Sequence, residues 1–294
     1  MRIIAITLLS LFGGAVAAAE VTLHTEKSLY QNISVVEEDG VRCLRFTVKR
    51  RNSRQSCIDV NNPDRLVLPY THLMFGGLLV NPAPQRVLLI GLGGGTLVEV
   101  FTGLFPGIEI DAVEIDPAVV DVARKYFSYS DPAGTAVHVR DGRVFARRAN
   151  RRGERYDYII IDAFNGDYIP EHLMTREFLL ECKELLAEKG VLVANTFSSS
   201  RLYNSESATY ASVFGEYLNL RRPHGNRVIV AGRDGLPPAD WLRLNINRVD
   251  ADLARFGIDL PRLLSLDRGI DWRRKARILT DQYAPANLMR DAAR

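Results

Sequence analysis

The sequence has few of the residues that mark metal sites, nucleic-acid partners and catalytic triads. There are three cysteines in 294 residues and no Cys-x-x-Cys pair, so the cysteine pattern indicates no metal site. The formal net charge of +3 is too small to argue for a nucleic-acid partner. The histidines are scattered, and we interpret them as surface or core residues, not as ligands or triad members. They are His24, His72, His138, His172 and His224.

Internal repeats, low-complexity tracts and long linkers are also missing from the sequence. What remains is an ordinary globular composition, with 47% hydrophobic and 25% charged residues, and enough length for a sizeable core. The length favours one large domain, or one domain with a smaller addition.

The only long apolar run opens the chain, and it has the order of a signal peptide. Arg2 supplies a positive start, Ile3–Phe12 an apolar region and Ala15–Ala19 a small-residue cleavage zone. We expect residues 1–19 to be removed and the protein to be exported, with the periplasm as its compartment. The run is short for a membrane span and no lipid-accepting cysteine follows it, so we expect no stable membrane insertion of the mature chain. The alternative is an uncleaved N-terminal helix on a cytoplasmic protein.

Residues 20–68 alternate in the manner of strands and predict a small antiparallel β-hairpin domain. The alternating stretches are Ile33–Val36, Val41–Val48 and Ser56–Val60, with turn residues between them. This domain precedes the main one.

Two of the cysteines flank the turn at Arg50–Arg51 almost symmetrically. A hairpin would place Cys43 nearly opposite Cys57, and in an exported protein that favours a disulfide. Two small buried thiols are the alternative. Cys182 lies on a helical pattern and is expected to be packed there.

The stretch from Arg86 to Asp116 describes a nucleotide-binding βαβ unit. An apolar run at 87–90 is followed by Gly91, Gly93, Gly94 and Gly95, then by a helical pattern at 96–105 and a second apolar run at 108–115. Glu114 comes about 20 residues after the glycines, the spacing at which an acid reaches a ribose diol. A purely structural glycine turn is the alternative.

The rest of the chain continues the alternation of strands and helices. Further strands are predicted at 136–139, 156–161, 191–197 and 227–231, and helices at 69–80, 118–127, 175–186 and 202–218, with the helix at 175–186 closed by Lys189–Gly190. This pattern predicts a doubly wound, mostly parallel Rossmann-like sheet of the class I methyltransferase type over residues 69–235. Residues 236–294 are expected to form a helical C-terminal extension, with helices at 241–256 and 260–266. Glu114, Asp141 and Asp162 all fall at the carboxyl ends of strands, where this fold binds its ligands.

Several stretches together resemble the polyamine aminopropyltransferases, the spermidine synthase family, from about residue 30 to residue 217. The matching stretches are LYQN, VLLIGLGGGTL, AVEIDPAVVDVARKYF, VRDGRVF, YDYIIIDAF and PEHLMTREFLLECKELLAEKGVLVANT. The closing LTDQYAP resembles a divergent, spermidine-synthase-like branch, some of whose members carry membrane transport segments. This sequence has no such segments.

The resemblance implies a site for decarboxylated S-adenosylmethionine, which is a co-substrate and not a permanently bound cofactor. Glu114 would hold the ribose hydroxyls, and Asp141 with Gly142 the adenine. The turn from Gly91 to Gly95 would lie along the sulfonium side chain, and Gln31 would flank the pocket.

The resemblance also implies an acceptor site for a small-molecule amine or polyamine. Asp162 corresponds to the acid that deprotonates the attacking amine, and Tyr70 would flank the pocket. Tyr283 is a candidate to close the amine site, with an exposed tail aromatic as the alternative. The resemblance is also compatible with a homodimer.

Three departures from the family pattern concern both substrates. Gly94 stands where the glycine turn usually has an aspartate that holds the aminopropyl ammonium. The usual D-S-S-D is Asp162-Ala-Phe-Asn165, so the second acid is lost unless Asp167 replaces it. Thr71–His72 stands in place of a His-Glu pair.

These departures keep two further hypotheses open. One is a methyltransferase that uses intact S-adenosylmethionine, because the loss of the acid at Gly94 would let a carboxylate approach the glycine amides. The other is a non-catalytic exported protein that binds a nucleoside or polyamine. Export favours the binding protein, whereas the retained Asp162 favours an enzyme, and we expect an aminopropyltransferase-like transferase.

Overall fold

Two β-sheets organise the computed structural model of the chain, which describes residues 19–46, 54–164, 169–222 and 225–285. The smaller sheet is antiparallel, in the order β1-β2-β3-β4, and its strands are β1 (Val21–Lys27), β2 (Asn32–Glu38), β3 (Val41–Phe46) and β4 (Arg54–Asp59). The last three were predicted from the sequence. Strand β1 was not, because it is exposed along most of its length and carries no buried apolar stripe.

The disulfide predicted in the smaller sheet is confirmed. Cys43 on β3 pairs directly with Cys57 on β4, and the two side chains are bonded. Cys182 is a free thiol in the core. The predicted signal peptide at residues 1–19 falls almost wholly outside the described residues.

The larger sheet confirms the predicted Rossmann-like fold. It has seven strands in the order β10-β11-β9-β8-β5-β6-β7. The parallel strands are β5 (Arg86–Ile90), β6 (Glu109–Glu114), β7 (Thr135–Val139), β8 (Tyr156–Ile161) and β9 (Leu186–Phe197). Strands β10 (Leu218–Arg221) and β11 (Asn226–Gly232) run antiparallel at one edge.

Helices cover both faces of this sheet. One layer packs against the first core cluster and contains α1 (Pro69–Leu73), a 3₁₀ helix (Met74–Leu79), α2 (Thr96–Leu104), α7 (Ala239–Leu253) and α8 (Leu260–Ser265). The other layer contains α4 (Gly142–Arg151), α5 (Arg176–Leu185) and α6 (Tyr203–Phe214). Helix α3 (Pro117–Tyr126) packs partly against the smaller sheet. Short 3₁₀ helices complete the set at Glu171–Leu173 and Ala254–Phe256.

The helix predicted at 69–80 is divided, and Tyr158 gives the reason. Its hydroxyl donates to the Met74 carbonyl (2.6 Å) and accepts from the Gly77 amide (3.1 Å). The Met74 carbonyl and the Gly77 amide therefore form hydrogen bonds with a side chain at the point where the α-helix gives way to a 3₁₀ helix. A Cβ at Gly77 would lie 2.4 Å from the Tyr158 ring, so this approach requires a glycine.

Two helix ends differ from the prediction. Helix α5 ends at Leu185 and β9 already begins at Leu186, which pairs with Tyr156; the left-handed Lys189 lies within an irregular part of that strand. Helix α6 ends at Phe214, and residues predicted to continue it to 218 turn away and enter β10. In the second case the helix is capped by Gly215, which has a positive φ of 76°, and the residues from Leu218 onward pair with β11.

The C-terminal segment is fixed to the second helix layer by polar contacts. The Arg143 guanidinium donates to both Asp281 oxygens (2.7 and 2.8 Å), and the Leu279 amide donates to the Thr209 hydroxyl (2.9 Å). The domain boundaries at residues 20, 69 and 236 stay a prediction. Within the described ranges, none of the helices has the length and apolarity needed to cross a membrane.

Candidate active site

A cavity of about 640 Å³ opens at the carboxyl ends of the parallel strands, where the fold predicts a ligand site. It brings together most of the residues that the sequence singled out: Gln31, Tyr70, Gly91, Gly93, Glu114, Asp141, Gly142 and Asp162. Residues from the smaller sheet, Ser56 among them, form part of its wall.

Four predicted residues do not line this cavity or cannot be placed. Gly94 and Gly95 belong to the glycine turn but are not among the residues that line the cavity. Tyr283 packs under the Arg277 guanidinium, 3.3 Å from the ring centroid, and pairs with Thr280. It does not line this cavity, and its role in closing an amine site stays a prediction. Asp167 lies outside the described residues.

The glycine turn brings β5 close to the residue that follows β8. Gly91 has a φ of 102°, and a Cβ there would lie 2.3 Å from the Asp162 carbonyl oxygen. A Cβ at Gly94 would lie 2.7 Å from Ser56 Oγ and 2.9 Å from the Phe127 ring. The position where the family usually has an acid is thus closed by neighbouring side chains in this chain.

Glu114 lies at the end of β6 and binds the backbone of the glycine turn. Its carboxylate accepts from the Leu92 and Asp116 amides, each at 3.1 Å. Burial raises the pKa of Glu114, while the bonds from Asp116, Leu92 and Gly93 act in the opposite direction. A carboxylate has about four acceptor positions, so after these three bonds one remains for a ribose hydroxyl.

Asp141 caps helix α4 and is paired with a histidine. One oxygen accepts from the Val144 amide (2.9 Å), and the other lies 2.8 Å from His172 Nε2. The bond from His172 is the main cause that lowers the pKa of Asp141. His172 also lines the cavity, a role that the sequence did not reveal because a 3₁₀ turn 31 residues away delivers it.

Asp162 follows β8 and is the candidate base. Its Oδ1 accepts from Asn195 Nδ2 (2.8 Å) and its Oδ2 from the Tyr70 hydroxyl (3.2 Å). Loss of solvation raises the pKa of Asp162 to about 6, against the effect of these two donors. The group is therefore mainly ionised at neutral pH and yet close to its protonation midpoint.

Two buried polar contacts behind Asp162 were not predicted. Asn195, only 2% exposed, accepts on its Oδ1 from Asn226 Nδ2 at 2.9 Å. Its signal in the sequence is a polar Asn-Thr pair inside the otherwise apolar run of β9.

The second contact is an ion pair between Arg227, fully buried, and Glu206, which lines the cavity. Arg227 donates to Glu206 Oε2 (2.6 Å), to Thr196 Oγ1 (2.8 Å) and to Ser207 Oγ (2.6 Å). Its guanidinium also lies 4.2 Å from the Tyr203 ring centroid. Burial raises the pKa of Glu206, and Arg227 opposes that shift. The pair presents little net charge to the cavity.

The described ranges contain no candidate set of metal ligands. No group of three or more His, Cys, Asp or Glu side chains there is placed to hold a metal ion.

Comparison with known proteins agrees with this geometry. The profile of the spermine/spermidine synthase domain matches residues 70–218. The polyamine aminopropyltransferase of Vibrio vulnificus is 47% identical over 274 residues, which cover 91% of each chain.

Two solved structures have a similar fold. A probable spermidine synthase from Corynebacterium glutamicum is 20% identical, with a TM-score of 0.64 over 86% of this chain and 96% of that one. Human methyltransferase-like protein 13, solved with SAH, is 25% identical, with a TM-score of 0.55 over 75% of this chain and 99% of that one. These two folds are alike, so the family is assigned from the sequence comparisons. Because the Vibrio vulnificus relative matches 91% of the chain and the domain profile matches residues 70–218, the chain is a member of the spermine/spermidine synthase family.

Proposed function

We propose that this protein transfers an aminopropyl group from decarboxylated S-adenosylmethionine to a primary amine of a diamine or polyamine, releasing methylthioadenosine. The observation that carries the proposal is the position of Asp162. Its carboxylate, with a pKa of about 6, lies in the same cavity as the glycine turn and Glu114. A nucleoside-binding protein has no need of a base there.

The donor half of the cavity suits a nucleoside with a sulfonium side chain. Glu114 would accept from the ribose diol, and the segment at Asp141–Gly142 would face the adenine. The choice of a decarboxylated donor is supported by the glycine turn itself. Its amides at Gly91, Leu92 and Gly95 already donate to protein oxygens, so they offer little to the carboxylate of intact S-adenosylmethionine.

In the acceptor half of the cavity, Asp162 would remove a proton from the amine. An amine that arrives as an ammonium ion has no lone pair, and Asp162 would take one of its protons. The nitrogen then attacks the carbon beside the sulfonium, the carbon–sulfur bond breaks, and its electron pair returns to sulfur as a neutral thioether. The positive charge passes to the new secondary ammonium. Holding both substrates in one cavity makes this displacement effectively unimolecular.

The test is amine-dependent release of methylthioadenosine by the wild type and by Asp162→Asn. Loss of a general base typically costs about 10²–10⁴ in turnover, and donor affinity measured by calorimetry should hardly change. Asp157→Asn is the matched control, because Asp157 lies at the other end of the same strand and its carboxylate accepts only from backbone amides in the contacts seen there. It should retain wild-type turnover.

Two results would contradict the proposal. Full turnover in Asp162→Asn would remove Asp162 from the mechanism. Absence of release with every amine, together with calorimetric binding of intact S-adenosylmethionine, would favour the methyltransferase hypothesis.

A further inference from the structure

A row of hydrogen-bonded side chains crosses the strand ends beside the candidate base. Ile161 pairs with Ala194, so Asp162 emerges next to Asn195 on β9. Asn226 pairs with Phe197 on the antiparallel β11, which places its side chain on the same face as Asn195. The bonds run from Asn226 Nδ2 to Asn195 Oδ1 (2.9 Å) and from Asn195 Nδ2 to Asp162 Oδ1 (2.8 Å).

This row has a direction. An ionised carboxylate only accepts hydrogen bonds, whereas an amide has its donor and its acceptor on opposite sides. The ionised carboxylate of Asp162 requires the Asn195 NH₂ group, which leaves the Asn195 oxygen facing Asn226, and the Asn226 NH₂ group donates to that oxygen. A flip of the Asn195 amide would set two NH₂ groups against each other and an oxygen against the carboxylate. The bond from Asn226 therefore stabilises the orientation in which Asn195 donates to Asp162.

The other oxygen of Asp162 has a partner that can reverse its role. The Tyr70 hydroxyl lies 3.2 Å from Asp162 Oδ2 and 3.1 Å from the Gln55 carbonyl oxygen, and its one proton can serve only one of them at a time. It can donate to Oδ2 while Asp162 is ionised. Once Oδ2 carries a proton, that proton can be donated to the tyrosine oxygen while the hydroxyl turns to Gln55. Oδ2 is thus satisfied in both protonation states, and Oδ1, which faces an NH₂ group, only when it is unprotonated.

Resting on the proposed function of Asp162 as the base, we propose that Asn226 is a positioning residue for the reaction. Through Asn195 it keeps Oδ1 as a permanent acceptor, so that the proton of the attacking amine is received on Oδ2 beside Tyr70. Asn226 lines the cavity but does not contact Asp162, so it acts on the base through Asn195.

The other charged groups that face the cavity keep their partners when Asn226 changes. Asp141 is paired with His172 and Glu206 with Arg227. The remaining charged groups on the cavity wall come from other segments and are Arg54, Glu114, Arg140 and Arg201. A substitution that is neutral in charge, such as Asn226→Leu, therefore tests the row and not the surrounding field.

The experiment is a titration of the Asp162 carboxyl carbon by NMR in protein labelled with ¹³C-aspartate, with Asp162→Asn used to assign the signal. Asn226→Leu frees the Asn195 amide to turn, so the carboxylate loses a fixed donor and its midpoint should rise by about one pH unit. Asn226→Asp has the same shape but presents an acceptor. It should reverse the Asn195 amide, turn the amide oxygen toward Asp162 and raise the midpoint further.

Ser199→Asp is the control for charge, because it adds a carboxylate to the same cavity wall outside the row. Its midpoint should rise less than that of Asn226→Asp. In turnover, the acidic limb of the kcat/KM profile should move with the NMR midpoint, and the KM for the donor should stay unchanged.

Equal midpoints in the wild type and both Asn226 variants would overturn the proposal, as would equal shifts in Asn226→Asp and Ser199→Asp. The NMR readout needs no turnover. If the wild type released no methylthioadenosine, the proposed function would fail while the titration still decided the role of Asn226.

Discussion

The closed position at Gly94 gives a prediction that can be worked from distances. A methyl group there would lie 2.7 Å from Ser56 Oγ, 2.9 Å from Phe127 Cδ1 and 3.0 Å from Phe127 Cγ. Real Cβ contacts are rarely below 3.4 Å, so the neighbours must move by about half an ångström or more. Neither moves freely, because Ser56 is 8% exposed on a paired strand and Phe127 is 3% exposed in the cluster between α3 and the smaller sheet.

Overpacking of this kind typically costs about 1–3 kcal/mol. We expect Gly94→Ala to lower the free energy of unfolding in urea by that amount, with an unchanged dependence on denaturant concentration. Gly103→Ala is the matched control. It lies within helix α2, its Cβ would come no closer than 3.3 Å to the tip of the Phe256 ring, and alanine is favoured over glycine inside a helix. Its stability should equal or exceed that of the wild type.

The same distances bear on function. Gly94→Asp introduces the acid that the family usually carries, but its side chain meets Ser56 and Phe127 before it meets a ligand. It should lose stability without gaining affinity for the decarboxylated donor. A Gly94→Ala variant as stable as the wild type, or a Gly94→Asp variant that binds the donor more tightly, would show that the space exists and that our reading of the turn is wrong.

Three further predictions follow from the site and from the N-terminus. Glu114→Ala should weaken nucleoside binding by about 1.5–3 kcal/mol in calorimetry while circular dichroism shows an intact fold, since a charge-assisted contact with the diol is lost. Because the pKa of Asp162 is raised from 3.8 to about 6, first by loss of solvation, its contribution to stability is present below pH 4 and is lost as the pH rises through 6. Asp162→Asn should therefore raise the melting temperature relative to wild type at pH 7.5 and lose that advantage at pH 4. Finally, we propose that residues 1–19 are removed on export, and mass spectrometry of protein from its native host that found an intact N-terminus would refute this.

The parts of the fold that the sequence predicted are those that local pattern determines. Apolar runs followed by Glu114, Asp141 and Asp162 predicted both the strands and the edge at which the acids meet. The spacing of Cys43 and Cys57 about one turn predicted their pairing. Strand β10 was missed because Leu218–Arg221 is only four residues long, and its pairing with β11 is what defines it as a strand.

The parts of the site that were missed depend on which strands become neighbours. The contact between Asn195 and Asn226 exists because β11 returns antiparallel beside β9, and no local pattern encodes that order. His172 reaches Asp141 only through the path of a turn. The prediction for Tyr283 rested on likeness to the family alone, and its contact with Arg277 was not predicted.

The buried pair of Arg227 and Glu206 limits how this cavity wall can diversify. Removal of one partner leaves the other charge buried and unpaired, which lowers the free energy of unfolding by about 3–5 kcal/mol. That is a large share of the 5–15 kcal/mol by which a domain is typically stable. Replacement of both by apolar residues of similar volume is often neutral. If the amine specificity evolves by substitutions at these two positions, the protein must either pass through an unstable single mutant or acquire both substitutions together. A mutant library should therefore vary the two positions jointly.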